Sequence, residues 1–282
     1  MTIREAIRRA AARLSESEHL TASAQMDATL LLLHTLGITR AQLFAGADRA
    51  LSPGELAVYD QSITRRLTHE PIQYITGEQE FYGLALRVTP AVLIPRPETE
   101  HLVESLLAQL SHIEPLKIAD IGTGSGAIAI ALASQLPRAR FVASDISPAA
   151  LEIAVANAAR LNVGRRIRFV ESDLFETIHA EGPFDAVVSN PPYVPMSDGK
   201  DMHPEVREFE PAAALFAPGN GLDVYRRLIP EAESALKPGG LLALEIGHGQ
   251  RVALAGLLSG WREVSFVPDL QQIPRVALAR RR

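Results

Sequence analysis

Asn190-Pro191-Pro192-Tyr193 is the stretch whose residue types point most directly to chemistry. Each proline fixes φ and removes a backbone donor, and Pro191 pushes Asn190 toward an extended conformation. The resulting loop is stiff and presents the Asn190 side-chain oxygen and a proline carbonyl, both acceptors. They suit a planar NH2 group, which has two hydrogens to donate. Tyr193 offers an aromatic face to a flat π-system beside them. An amide or arylamine nitrogen is a poor nucleophile because its lone pair is delocalised. Accepting both of its N–H bonds holds the nitrogen in place and pushes density toward the lone pair. Positioning of this kind is worth about 7–11 kcal/mol when well oriented.

A second constellation is Asp120-Ile121-Gly122-Thr123-Gly124-Ser125-Gly126, where an apolar run meets a helical pattern. Glycine there lets the backbone turn tightly and approach a ligand. Gly122, Gly124 and Ala127 also satisfy the dinucleotide fingerprint G-x-G-x-x-A. Asp145 follows Gly126 by 19 residues (145 − 126), close to the ~20 expected of a ribose-binding acid. The plainer reading makes Asp145 a cap for the helix opening near Pro148. Nucleotide and nucleoside cofactors both fit. Asp173, in Glu171-Ser172-Asp173-Leu174-Phe175, sharpens the choice, because a side chain there can meet an adenine amino group. A turn aspartate is its plain alternative.

These residues need a scaffold, and the chain supplies a repeating one after Leu116. Leu116–Asp120, Phe141–Ser144, Ile167–Glu171, Phe184–Ser189 and Gly240–Ile246 read as strands with helical segments between them. That rhythm predicts a doubly wound, mostly parallel α/β sheet, with Glu263–Val267 and Arg275–Ala279 closing it as a hairpin. Asp145, Asp173 and the glycine turn then meet at the carboxyl edge, where such sheets bind ligands. Residues 1–70 read instead as a small helical bundle. Ile3, Ala6, Ile7, Ala10, Ala11 and Leu14 form one stripe, and Met26, Leu30, Leu31 and Leu33 a second. Ser52-Pro53-Gly54-Glu55 is a capping box opening a third helix. Residues 71–95 are punctuated by Pro71, Gly77, Gly83 and Pro90 and read as a β-hairpin linker, with Gln73–Thr76 among its extended pieces. A helix over Thr99–Leu110, with Thr99 as cap, begins the second domain, 96–282.

Composition narrows the classes further. The 282 residues carry a net charge of −5 and no cysteine. Disulfides, cysteine zinc sites and thiol catalysis are excluded, and a broad nucleic-acid-coating surface is disfavoured. The charged start MTIREAIRRA lacks a signal-peptide core, and no apolar run reaches ~18 residues. No histidine has metal-ligand spacing, and His248 between two glycines reads as a turn residue. The expectation is a cytoplasmic protein without metal.

The glycine turn, Asp145 and Asn190-Pro191-Pro192-Tyr193 resemble class I S-adenosylmethionine-dependent methyltransferases acting on planar nitrogen. The wider pattern resembles the release factor glutamine methyltransferase family, HemK/PrmC. It is carried by Leu93-Ile94-Pro95-Arg96-Pro97-Glu98-Thr99-Glu100, Phe209-Glu210-Pro211, Gly221-Leu222, Glu245-Ile246-Gly247 and Ile273-Pro274-Arg275. The resemblance covers essentially the whole chain. It implies a seven-stranded Rossmann-like methyltransferase sheet preceded by a helical domain and a hairpin. It also implies methyl transfer from S-adenosylmethionine to N5 of the glutamine in the Gly-Gly-Gln loop of peptide chain release factors. Gly122, Thr123, Gly124, Ser125, Gly126, Asp145, Asp173, Leu174 and Asn190 would line the cofactor site. Where some relatives have an aromatic, Leu174 packs on adenine without stacking. Asn190, Pro191, Pro192 and Tyr193 would hold the glutamine, with Asn190, Pro191 and Tyr193 catalytic. A monomer that docks the release factor through residues 1–70, with no membrane or direct nucleic-acid contact, completes the expectation.

Two other readings compete. Another planar nitrogen, adenine N6 of DNA or a ribosomal-protein glutamine, would use the same loop, but DNA modification calls for basic recognition stretches that this chain lacks. A dehydrogenase or binding module would leave Asn190-Pro191-Pro192-Tyr193 without a purpose. Arg96 is expected to meet substrate or cofactor carboxylate, or to pair with Glu98 or Glu100; Glu245 is expected to stand behind the site.

Overall fold

A computed structural model describes residues 1–110 and 115–282, which form two compact units. Met1–Glu78 and Asp201–Phe209 make one; Gln79–Lys200 and Glu210–Arg282 make the other.

The first unit is helical, with α1 at Ile3–Leu14, α2 at Ala24–Leu36, α3 at Arg40–Ala45, α4 at Pro53–Leu67 and α5 at Ile72–Thr76. Capping boxes open three of them: Thr2 with Glu5, Thr39 with Gln42, and Ser52 with Glu55. Each satisfies two backbone donors that a helix start leaves orphaned. The α1 stripe is buried as its spacing predicts. On α2 the stripe is shifted. Ala24, Ala28, Leu31 and Leu32 face the core, while Met26 is exposed, because the buried Asp27 turns inward to accept from Arg66 of α4 at 2.7 Å. Arg66 also donates to the Glu70 carbonyl and to Glu205. Losing one partner of such a buried pair strands a charge, at a cost of about 3–5 kcal/mol. Gln73–Thr76 is helical rather than extended: Tyr74, Ile75 and Gly77 all bond back to Pro71 or Gln73 carbonyls.

The hairpin of β1 (Glu78–Phe81) and β2 (Leu84–Arg87) follows, then α6 (Pro97–Leu110). The second unit continues with β3 (Lys117–Ile121), α7 (Ala127–Gln135), β4 (Arg140–Asp145), α8 (Pro148–Arg160), β5 (Ile167–Glu171) and β6 (Phe184–Ser189). After β6 come β7 (Val194–Pro195), α9 (Pro204–Phe209, in the helical unit), α10 (Ala212–Leu215) and β8 (Phe216–Ala217). The chain ends with α11 (Asp223–Ala235), β9 (Leu236–Glu245), α12 (Arg251–Leu257), β10 (Arg262–Pro268) and β11 (Pro274–Arg280).

Seven strands form one sheet in the order β10-β11-β9-β6-β3-β4-β5, parallel except for β11, which runs antiparallel to both of its neighbours, β9 and β10. Its central strands β3, β4 and β6 are mostly apolar and buried over most of their length, as a sheet covered on both faces requires. The chain winds from β3 to β4 and β5, then reverses to β6 and β9, so the topological switch lies between β3 and β6. Ile121 is registered with Ser189, and Gly122 and Asn190 therefore leave neighbouring strands at one level. This is the crevice where doubly wound sheets hold ligands. Among the described residues, no helix is long and apolar enough to cross a membrane.

Candidate active site

The crevice opens into a cavity of about 450 Å³, within the range of roughly 300–1,000 Å³ typical of small-molecule sites. Gly122, Thr123, Gly124, Ser125, Asp145, Asp173, Leu174, Asn190 and Pro192 line it. Gly126, Pro191 and Tyr193 do not belong to that lining.

The glycine turn divides its labour. Gly124 has φ +56°, and a Cβ built there meets nothing within 4 Å, so its face is open to a ligand. Gly126 serves packing: its Cβ would come within 2.9 Å of Ile130 Cδ1 and 3.2 Å of the Ala154 Cβ. Asn157, fully buried on α8, braces the turn. Its Nδ2 donates to the Ser125 and Arg87 carbonyls, and its Oδ1 accepts from the Arg87 N–H at 2.7 Å. An asparagine at a core position among alanines was the sequence signal for it.

Asp145 ends β4 and accepts from Gly124 N at 2.8 Å and Ser147 N at 2.9 Å, one bond to each oxygen. Each oxygen keeps a lone pair for a ribose hydroxyl. The capping role falls to Ser147, whose Oγ accepts from Ala150 N. Burial pushes the Asp145 carboxyl up, against the pull of its backbone donors. Beneath the turn, the fully buried Asp120 accepts from Thr123 Oγ1 and Ala129 N, and burial, with Asp145 nearby, raises it to about 7. Asp173 carries an ion pair with Arg227 at 2.8 Å, and Leu174 adopts φ +49° at the cavity wall. The open glycine face, the acid at the end of β4 and a largely apolar wall fit a nucleoside with a short charged tail.

The Asn190 loop is held from behind. Pro191 is buried, and Tyr193, which does not line the cavity, donates its hydroxyl to Glu245 Oε1 at 3.2 Å. The Tyr193 ring packs against the core cluster that includes Leu244 of β9. Burial first, and then the Glu245 charge, push the Tyr193 hydroxyl well above its usual range. Glu245 is itself buried, with its carboxyl pushed up by burial and drawn back by hydroxyl bonds from Thr99 and Tyr193. Thr99 is thus not a helix cap: it lies inside α6, donates to Glu245 Oε2 at 2.6 Å and accepts from Asn190 Nδ2 at 3.2 Å. Gln250 donates to the Tyr193 carbonyl at 3.0 Å and accepts from Gly247 N. A Cβ on Gly221 would stand 2.3 Å from that same carbonyl. Sequence reasoning missed Thr99 and Gln250, whose roles depend on contacts far along the chain. Arg96 pairs with neither Glu98 nor Glu100. It donates to the buried Glu210, which also accepts from Ile94 N, while Glu100 accepts from Tyr82 N.

Comparison with known proteins agrees with this geometry. Residues 5–77 match the PrmC N-terminal domain, and residues 98–214 the methyltransferase small domain. The chain is 44% identical over all its length to 99% of the release factor glutamine methyltransferase of Koribacter versatilis. It is 43% identical, over all its length and 99% of the relative, to that of Moorella thermoacetica. A solved T. Thermophilus 16S rRNA N2 G1207 methyltransferase, in complex with AdoMet and guanosine, shares the fold at TM-score 0.55 and 20% identity, over 73% of this chain and 50% of that one. The sheet is a methyltransferase sheet whose cofactor is S-adenosylmethionine, and the chain belongs to the release factor glutamine methyltransferase family.

Proposed function

We propose that this protein methylates N5 of the glutamine in the Gly-Gly-Gln loop of peptide chain release factors. The observation that carries the reading is an asparagine held acceptor-first at the switch point, within the same cavity as a nucleoside-binding turn. Bound S-adenosylmethionine supplies an electrophilic methyl group. The glycine turn and Asp145 would hold the nucleoside, with Leu174 and Asp173, the latter paired to Arg227, lining the same cavity for the base. Asn190 Oδ1 accepts one amide hydrogen of the glutamine, and a carbonyl of the proline pair accepts the other. The nitrogen is thereby fixed with its lone pair toward the methyl group; the N–C bond would form as the S–C bond breaks, S-adenosylhomocysteine would leave, and the amide would lose one proton to solvent. A glutamine alone offers little area for selectivity. Residues 1–70 are assigned to docking the release factor, and the protein works as a monomer in the cytoplasm without direct nucleic-acid contact.

The test is incubation with labelled S-adenosylmethionine and either a release factor or its Gln-to-Ala loop variant. Label should enter only the factor with the intact loop. Equal labelling of both forms would sink the glutamine assignment.

A further inference from the structure

We infer that Thr99 and Glu245 are positioning residues that set which way round the Asn190 amide stands. The inference rests on the reading of Asn190 as the acceptor of the substrate amide. Asparagine carries an acceptor and a donor at almost the same place, and a half-turn about its last bond exchanges them. Turned the wrong way, its NH2 would face the substrate NH2, donor against donor. Nothing inside Asn190-Pro191-Pro192-Tyr193 chooses between the two.

The choice is made outside the motif. Both Glu245 oxygens receive hydroxyl hydrogens, from Thr99 at 2.6 Å and Tyr193 at 3.2 Å. Having given its one hydrogen to Glu245, Thr99 has only lone pairs left for Asn190. It therefore accepts from Asn190 Nδ2, at 3.2 Å, and Oδ1 is the atom that remains for the substrate. Thr99 is 4% and Glu245 2% exposed, so water does not compete for either group. The chain Asn190 → Thr99 → Glu245 has a single direction. Tyr193 shares the same carboxylate, so one buried acid secures both ends of the loop.

A double-mutant cycle tests it with the full-length protein, a release factor and labelled S-adenosylmethionine. Thr99→Val keeps the shape and removes the hydroxyl. It should lower kcat by about 10- to 100-fold, with the cofactor Kd within about twofold of wild type. Thr99→Ser should hold kcat within about threefold. In an Asn190→Ala background, Thr99→Val should add less than about a twofold loss, because its only route to the reaction is gone. Losses that multiply in the double variant, or a cofactor Kd rising in step with the loss of kcat, overturn the inference. Full kcat in Thr99→Val overturns it as well. A wild-type protein that leaves the release factor unlabelled refutes the substrate reading instead, so the two failures are distinct. Matching thermal unfolding curves for the single variants establish that they fold.

Discussion

The two halves of the active site are built by opposite means. The cofactor half is local: a turn from Gly122 to Gly126 with positive φ at its glycines, and one acid on the next strand that bonds to the turn itself. The substrate half is assembled from a distance. Asn190-Pro191-Pro192-Tyr193 is stiff through its prolines, but its orientation comes from Thr99, Gly221, Glu245 and Gln250. A nucleoside is bound by shape and hydrogen bonds, which a backbone cradle satisfies. An amide nitrogen must be aimed, and aiming requires support that the motif does not contain.

Removing the aiming group should cost most. Asn190→Ala is expected to lower kcat by about 10²–10³, the scale of losing one preorganised polar contact to the reacting group. Cofactor affinity should survive within a few-fold, because the cradle does not depend on this side chain. Single-turnover methylation beside calorimetric titration reads the two halves separately. Equal damage to both would collapse the distinction between them.

Asp145→Ala should reverse the pattern at a smaller scale. A carboxylate hydrogen bond to a polar partner contributes about 1.5–3 kcal/mol. Cofactor affinity should therefore fall about 10- to 100-fold, with kcat at saturating cofactor changed only a few-fold. A wild-type Kd by calorimetry would remove Asp145 from the ribose role.

The same division decides what was legible in the sequence. The cradle could be read, because Gly122, Gly124 and Asp145 fall within a short span and glycine at positive φ leaves a type signature. All seven strands could be read from apolar runs, and the doubly wound order followed from their alternation with helices. Thr99 could not be read correctly: at the start of a helical pattern it looks like a helix cap, and only α6 packing on the end of β9 brings it to Glu245. Tyr193 was expected to face the ligand because it adjoins Asn190, yet the acid that captures its hydroxyl lies 52 residues away. On α2, apolar spacing places Met26 in the stripe because it does not reveal that Asp27 pairs inside with Arg66. These three share one cause: a polar residue whose partner is distant in sequence overrides the local pattern.

The last expected effect, at most about 1.4 kcal/mol for each pH unit, concerns the floor of the cradle. Asp120 is fully buried, with its Oδ1 unpartnered among the described residues, and it titrates at about 7 against an ordinary 3.8. Between those values the folded protein keeps a proton that the unfolded chain has released. More protons bound to the folded state means that stability falls as pH rises. This group therefore weakens the fold progressively from about pH 4 to about pH 7. Above pH 7 its cost is constant, because both states are then ionised. Asp120→Asn has no such titration, and other carboxylates cancel in the comparison with wild type. The difference in unfolding free energy, variant minus wild type, should rise by at most about 1.4 kcal/mol per pH unit toward pH 7 and then level off. Urea denaturation at pH 5, 6, 7 and 8 measures it. A difference that is flat across that range would mean Asp120 is already ionised in the folded protein. The cradle would then rest on a buried charge held by Thr123 Oγ1 and Ala129 N rather than on a neutral acid.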